Sequence, residues 1–520
     1  MFPKKTPLFR SITRRFCAKG AEFSPAVAHC ALPSPFAHLR HGGLALALAL
    51  CSATCFTACN DFLDVQPKGE LPEDVQFKRS QGFYDAMYGV YGTMASSKLY
   101  GENLSYGFLD KLGQLFGYLN TSNTDTEILN YDYTNQQVRS TVDNIWSSQY
   151  EAISYVNNVL ANLDKRNSSD ASLRLVRGEA HGLRAFLHFD LVRLYCPDYR
   201  QNPNAKYGLP YSDAYTLANR TVYSLKGTYE HILGDLDEAE KYLSNDTTMA
   251  DVEGRESEYD YARPRQFNLY AVYATKARVY WSMGNYDKAA EYARRVINSK
   301  QNFALAPSTR FNEVRRFPAK GEMIFGLYNN SLSQSVYNTF FGAIQSSGTF
   351  TEGRQDLDKV YETSSFASDN TDLRFSAFYR QDGQTFTFQR LVNNESEIKN
   401  APLQGLTLIR LPEMYYILAE SLYDKDKAGA LAALNAVRTS RGLKALTADD
   451  AKLLSRESFE KELMVERMRE MPGEGQVFFA LKHFNRSFTD IRGRKTIQPE
   501  ERIFVLPRPE RELEFGNKQQ

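Results

Sequence analysis

Side-chain catalysis needs an acid, a base or a nucleophile held together, and in this chain of 520 residues the right types are present without being gathered. The histidines His181, His188, His231 and His483 are scattered, with no metal-ligand spacing and no triad order around them. His181 and His188 fall on what reads as one helix, where ordinary packing is the simpler account. Carboxylates are plentiful, but no pair sits in a recognisable enzyme context, and a carboxylate separation is not written in a sequence. Cysteine is more telling. Of Cys17, Cys30, Cys51, Cys55, Cys59 and Cys196, only Cys59 has a suggestive setting, at the end of the apolar run LALALALCSATCFTAC from Leu44. The remaining chemistry is recognition: 32 Tyr and 33 Phe stand against 2 Trp. A tyrosine offers a flat apolar face and a hydroxyl, which suits stacking on a sugar ring as well as helix packing.

The run up to Cys59 resembles a bacterial lipoprotein signal, in which small residues precede a cysteine that is acylated and becomes the new N-terminus. Leu44 to Ala58 is 15 residues, short of the roughly 18 to 20 that span a bilayer. Ser52, Thr54 and Thr57 interrupt it and no basic stop-transfer cluster follows, so a cleaved export segment fits better than a permanent anchor or a buried apolar helix. Upstream, Lys4, Lys5, Arg10, Arg14, Arg15, Lys19 and Arg40 face one acid, Glu22. A basic segment of about 40 residues is long for this class, so the expected translation start lies nearer the apolar run. Residues 1–58 are thus expected to be removed, with Cys59 the lipidated residue. The 462 residues that remain keep 56 of 63 basic and 61 of 62 acidic side chains, a balance of −5 with no basic stripe, which argues against nucleic acid as a partner. They also keep only Cys196 as a free thiol, so the fold must be stable without disulfides.

The elements that must position any site read as paired helices. Val176, Ala180, Leu183, Leu187, Leu191 and Leu194 recur at steps of three and four and end near Cys196-Pro197. LYAVYATKARVYWSMGNYDKAAEYARRVINSK, from Leu269, resembles a tetratricopeptide unit: small alanines let two antiparallel helices approach, and Gly284-Asn285 turns between them. Tyr286, Ala289, Ala293 and Ile297 are expected to face inward. A second copy starts at Leu411, with Ala419, Tyr423, Ala430, Leu434 and Val437 in comparable places. Two degenerate pairs, Gln81–Ser96 with Val142–Leu163 and Arg174–Tyr195 with Tyr229–Leu243, bring the array to about four. Between the repeats, Tyr100–Tyr133 and Gly326–Ala401 read as loops carrying short strands, and insertions of that length are where ligand surfaces are sought.

Taken in order, several segments resemble the SusD/RagB family of surface lipoproteins. They are CNDFLDVQPKGEL, RGEAHGLRAFLHFDLVRLY, IRLPEMYYILAE, KELMVERMREMPGEGQVFFALKHFNR and FVLPRPERELEFGN. A departure is Glu474-Gly475-Gln476, where many members carry Glu-Gly-Arg, preceded by Met471-Pro472-Gly473 at a helix junction. The resemblance implies a mostly α fold: a tetratricopeptide-like helical-repeat scaffold with loop-rich insertions, residues 59–520 as one domain, with an N-terminal part 59–245 and a C-terminal part 265–520. It implies a glycan-binding lipoprotein on the outer face of the outer membrane that passes oligosaccharides to a TonB-dependent, SusC-like transporter and catalyses no reaction. No cofactor is implied, and a structural calcium ion is left open.

Glu179, Arg184, Asp190 and Arg193, on one helix, read as an internal salt-bridge set rather than a site. Trp146, Met414, Tyr415 and Tyr416 read as repeat packing. The ligand residues are therefore sought in the insertions: Tyr118, Asn120 and Asp125 from the first, Tyr328 and Tyr337 from the second, with aromatic faces covering sugar rings and polar groups bonding hydroxyls. Rival readings are a peptide binder of the same family, a glycosidase on a helical scaffold, and a repeat scaffold that binds only proteins.

Overall fold

Asparagine, aspartate and serine at helix starts set the architecture. Asn135, Asp170, Ser224, Asn268, Asn285, Asp426 and Ser455 each accept a hydrogen bond from a backbone N–H of the first turn of the helix that follows, which satisfies donors the helix itself leaves open. The computed structural model describes residues 72–116, 123–166, 170–250, 254–255, 258–317, 319–341, 351–353, 357, 360–361, 372–382, 385–392, 394–450, 453, 455–490 and 495–516. The export segment, its boundary at residue 58 and Cys59 lie outside the described residues. The elements below belong to one unit, Glu73–Gln520.

The scaffold helices are α1 (Ser80–Met94), α2 (Gln136–Lys165), α3 (Ala171–Tyr195), α4 (Leu225–Tyr242), α5 (Leu269–Ser282), α6 (Tyr286–Ile297), α7 (Leu411–Leu422), α8 (Lys427–Ser440), α9 (Arg456–Glu470) and α10 (Gln476–Phe484). Each packs on its neighbour in the chain from α1 to α8, and α9 packs on both α7 and α10. The four pairs expected from the sequence are α1 with α2, α3 with α4, α5 with α6 and α7 with α8, so the tetratricopeptide-like reading holds. Gly284, at φ +72°, makes the turn between α5 and α6. In α8 and α7 the expected inward residues Ala419, Tyr423, Ala430, Leu434 and Val437 are all buried. In α6, Ala289 and Ala293 are buried while Tyr286 and Ile297, at its two ends, are only half-buried; Tyr286 donates its hydroxyl to Glu420 of α7 at 3.0 Å.

The insertions differ from each other. The first, expected to be loop with short strands, forms two short helices, Phe108–Leu112 and Asn123–Leu129, and no strand among its described residues. Its Tyr100, Leu104, Tyr106, Phe108, Leu109, Leu112, Leu115 and Phe116 are buried. This is the physical reason for the difference: its aromatic residues fill core. In the second, β1 (Met323–Tyr328) pairs antiparallel with β5 (Gly405–Arg410), which runs straight into α7. Farther out, β2 (Thr351–Gly353), β3 (Tyr379–Asp382) and β4 (Thr385–Phe388) form a sheet in the order β2-β4-β3.

Glu179, Arg184, Asp190 and Arg193 of α3 are buried, and most of them reach across to other segments. Glu179 accepts from the hydroxyls of Tyr91 and Tyr259 at 2.8 and 2.7 Å and pairs with Arg263 at 2.5 Å. Arg184 grips both oxygens of Asp235 in α4, at 2.7 and 2.6 Å. Only Asp190 and Arg193 pair within the helix. Lys482 of α10 donates to the carbonyls of Arg193 and Cys196 at 2.5 and 2.6 Å, capping the end of α3 from a distance of nearly 300 residues in sequence. The segment after α10 returns to the start of the scaffold. Leu506 donates its N–H to Leu194 at 2.9 Å, Tyr133 donates its hydroxyl to Ile503 at 2.7 Å, and Arg139 reaches the carbonyl of Arg508 at 2.6 Å.

Candidate functional site

The two insertions meet over an aromatic floor. Phe116 of the first lies 5.6 Å from Phe340 and 5.1 Å from Phe388 of the second, and Tyr106 lies 5.9 Å from Phe340. Asn329 ties the second insertion to the end of α1 by donating to the carbonyl of Ala95 at 3.0 Å. At the junction between α9 and α10, Asp110 of the first insertion accepts from the N–H groups of Gly473 and Gly475. Burial pushes its carboxyl up to about 8 against the pull of those two donors. Gly475 sits at φ +68°, where a Cβ would stand 2.2 Å from the carbonyl oxygen of Leu104. The junction that departs from the family pattern is therefore the clamp that fixes the base of the first insertion.

On this floor stands the helix Leu332–Phe341. It buries Leu332, Ser333, Val336 and Phe340, and turns Gln334, Tyr337, Asn338 and Phe341 outward or half outward. The spacing of four residues places Tyr337 over Phe341 and Gln334 beside Asn338. The two rings stack with centroids 5.4 Å apart and planes 18° apart, and the two amides are hydrogen-bonded at 2.8 Å. Arg380, on β3, holds its guanidinium 4.4 Å from the centre of the Phe341 ring. Stacked rings beside amides and a guanidinium can do what sugar recognition requires: cover an apolar ring face and exchange hydrogen bonds with its hydroxyls.

The expected ligand residues fall in different places. Tyr337 lies at the centre of this face. Tyr328 is 51% exposed at the end of β1, with the Arg265 guanidinium 5.8 Å from its ring centre, apart from the Tyr337 helix face. Asp125 is 5% exposed and paired with Lys111 at 2.7 Å, so its carboxylate is engaged inside the first insertion. Tyr118 and Asn120 lie outside the described residues. Sequence reasoning missed Phe341, Gln334, Asn338 and Arg380. The helical repeat of aromatic and amide residues in LSQSVYNTFF was the signal for the first three, whereas Arg380 depends on how β3 is folded back.

Other sequence candidates are structural. Trp146 is 4% exposed and packs edge-on against Tyr195 at 4.8 Å. It reaches only the wall of a groove of about 900 Å³. His181 pairs with Asp235, and His483 with Glu420 under the Trp281 ring. His188 is buried. Its Nδ1 lies 2.8 Å from the Arg184 carbonyl and its Nε2 accepts from Ser212 N–H at 3.0 Å, which places the proton on Nδ1. Among the described residues no group of three or more His, Cys, Asp or Glu side chains is placed to hold a metal, and no helix is long and apolar enough to cross a membrane.

Two family models match the chain in succession: one described as starch-binding and associating with the outer membrane over residues 61–281, and the SusD family over residues 277–501. A SusD-like protein of Formosa agariphila is 26% identical over 263 residues, which is 49% of this chain and 46% of that relative. The chain thus spans about half the length of this curated relative. Among solved structures, a SusD superfamily protein of Bacteroides vulgatus matches with a TM-score of 0.67 at 20% identity, covering 85% of this chain and 98% of its own. A SusD-like carbohydrate binding protein of the same organism gives 0.65 at 18%, covering 84% and 96%. A laminarin binding SusD-like protein gives 0.61 at 19%, covering 84% and 98%. At such identities the likeness is one of fold.

Proposed function

The chain belongs to the SusD/RagB family, and from that premise we propose that it is a lipid-anchored glycan-binding protein of the outer membrane that captures oligosaccharides and hands them to a TonB-dependent, SusC-like transporter. Acylated Cys59 would hold it at the membrane, facing the cell exterior, and it would bind without catalysing a reaction. The observation that carries the glycan reading is the outward face of the helix Leu332–Phe341, where the half-exposed Tyr337–Phe341 stack, the exposed Gln334–Asn338 amide pair and Arg380 stand together. The carbohydrate and laminarin named for two relatives of the same fold point the same way. Outer-membrane association is in the description of one matched family model.

The test is calorimetry of the full chain against a panel of oligosaccharides, including laminarin fragments, and against a mixed peptide pool. Saccharide binding is expected, and Tyr337→Ala or Phe341→Ala should weaken it at least tenfold, about 1.4 kcal/mol. Binding of peptides alone would sink the glycan reading. Release of reducing sugar from a bound oligosaccharide would sink the non-catalytic one. For the anchor, radiolabelled palmitate should enter the wild-type protein in cells and fail to enter Cys59→Ala.

A further inference from the structure

A second cleft, on the helical scaffold and away from the Tyr337 helix, presents the same chemistry from different elements. It holds about 740 Å³ between α1, the start of α3, the end of α4, residues 245–250 and residues 258–263, within the roughly 300–1,000 Å³ usual for ligand clefts. Tyr84 and Tyr88 stand one turn apart on α1, on the flank of the face that buries Phe83, Met87 and Tyr91. Tyr84 is stacked on Tyr259, centroids 4.3 Å apart and planes 12° apart, and Tyr88 leans over the same ring at 5.6 Å. Tyr88 is 50% exposed.

This platform is held from below. The Tyr259 hydroxyl donates to buried Glu179, which is itself fixed by Arg263 and by the Tyr91 hydroxyl. Swinging the ring away would break the hydrogen bond from its hydroxyl to a buried carboxylate. Asn245, Thr247 and Thr248, all exposed, line the same cleft and bring an amide and two hydroxyls to it. Arg255 is gripped by Glu258 and Asp260, and Arg263 by Asp246 and Glu179. Among the described lining residues, Arg174, Arg255 and Arg263 are balanced by Asp246, Glu258 and Asp260. Side chains whose charges are already paired give little purchase to an anionic ligand. Fixed flat rings beside amides, hydroxyls and paired charges suit an uncharged polyhydroxylated one.

We propose that this cleft is a second saccharide site, which takes a neutral oligosaccharide with one sugar ring laid on Tyr88, which Tyr84 and Tyr259 back, and its hydroxyls bonded from the Asn245–Thr248 side. The class of ligand rests on the glycan-binding reading above, while the location rests on residues that reading does not use.

Calorimetry of the full chain with the same panel of neutral oligosaccharides separates the two. Two classes of binding are expected in the wild type. Tyr88→Ala, at a half-exposed position, and Asn245→Ala should each weaken one class at least tenfold and leave the other unchanged, and Tyr337→Ala should do the reverse. If binding is present and neither Tyr88→Ala nor Asn245→Ala alters any part of it, the second site is overturned and the glycan reading stands. If Tyr88→Ala abolishes all binding while Tyr337→Ala changes nothing, the cleft is upheld and the Tyr337 face is not the site. Absence of saccharide binding in the wild type overturns both.

Discussion

Burial of one ring has a measurable cost in acid. His188 is enclosed between α3 and the segment around Tyr211, whose ring stacks on it at 3.8 Å, and burial holds its pKa down to about 3. With the folded value below the usual 6.5, the unfolded chain binds the proton first. Its stabilising effect is complete above about pH 6.5 and is lost as pH falls toward 3, at no more than about 1.4 kcal/mol per pH unit. In His188→Gln, thermal melts should fall less steeply between pH 6.5 and 4 than in the wild type. Legibility at this scale was uneven for a physical reason. Tyr337 is half-exposed, as a ligand residue must be, whereas the aromatics of the first insertion are buried, and residue type alone does not tell the two apart. Asp125 shows the same ambiguity, because a carboxylate looks the same in sequence whether it faces water or a half-buried lysine such as Lys111.

Helices approach one another only as closely as their side chains permit, and α3 shows where that limit is set. A Cβ on Gly182 would stand 2.4 Å from two atoms of the Phe267 ring, whereas one on Gly89, in α1, would meet nothing within 4 Å. Alanine for glycine inside a helix gains roughly 0.5–1 kcal/mol, and overpacking a filled core costs typically 1–3 kcal/mol. Gly89→Ala should therefore raise the midpoint of a urea melt and Gly182→Ala should lower it, the overpacking term winning only where the ring is in the way. The helices themselves were plain in the sequence, down to the Gly284-Asn285 turn, because caps and apolar spacing are local. The first insertion was misread as loop and strand because its glycine, asparagine and tyrosine content resembles a surface segment. Its fate is decided by contacts with Gly473, Gly475 and the aromatic floor, all more than 200 residues away.

Across the whole molecule, a buried lattice of opposite charges joins the second insertion to the scaffold. Arg441 bridges Glu322, just before β1, to Glu470 at the end of α9. Arg410 also binds both, and Arg374 pairs with Asp372, Glu466 and Glu470. Removing one charge leaves three guanidinium groups under-compensated, and breaking such a pair typically costs 3–5 kcal/mol. Glu470→Gln should lose about that much by urea denaturation at pH 7. The same arginines hold the Glu470 pKa well below its usual 4.5. Its contribution is therefore present above about pH 4.5 and lost as pH falls below it, so the gap between wild type and variant should narrow in acid. Apart from the neighbours Asp372 and Arg374, this lattice was not legible, since ion pairs that join residues as far as 119 positions apart leave no local spacing. The return of residues 503–508 to α2 and α3 bears on how the chain reaches this state. Synthesis delivers the first helices long before the segment that closes over them, so the last contacts formed are also those of greatest sequence separation, the kind that folds slowly and leaves intermediates exposed. A chain truncated after Gln498 should keep most of its helical circular dichroism yet be cut by protease within α2 and α3, where the intact chain is not. The contacts that residues 503–508 make with the first half of the scaffold are thus ones a nascent chain can form only after those residues have been made.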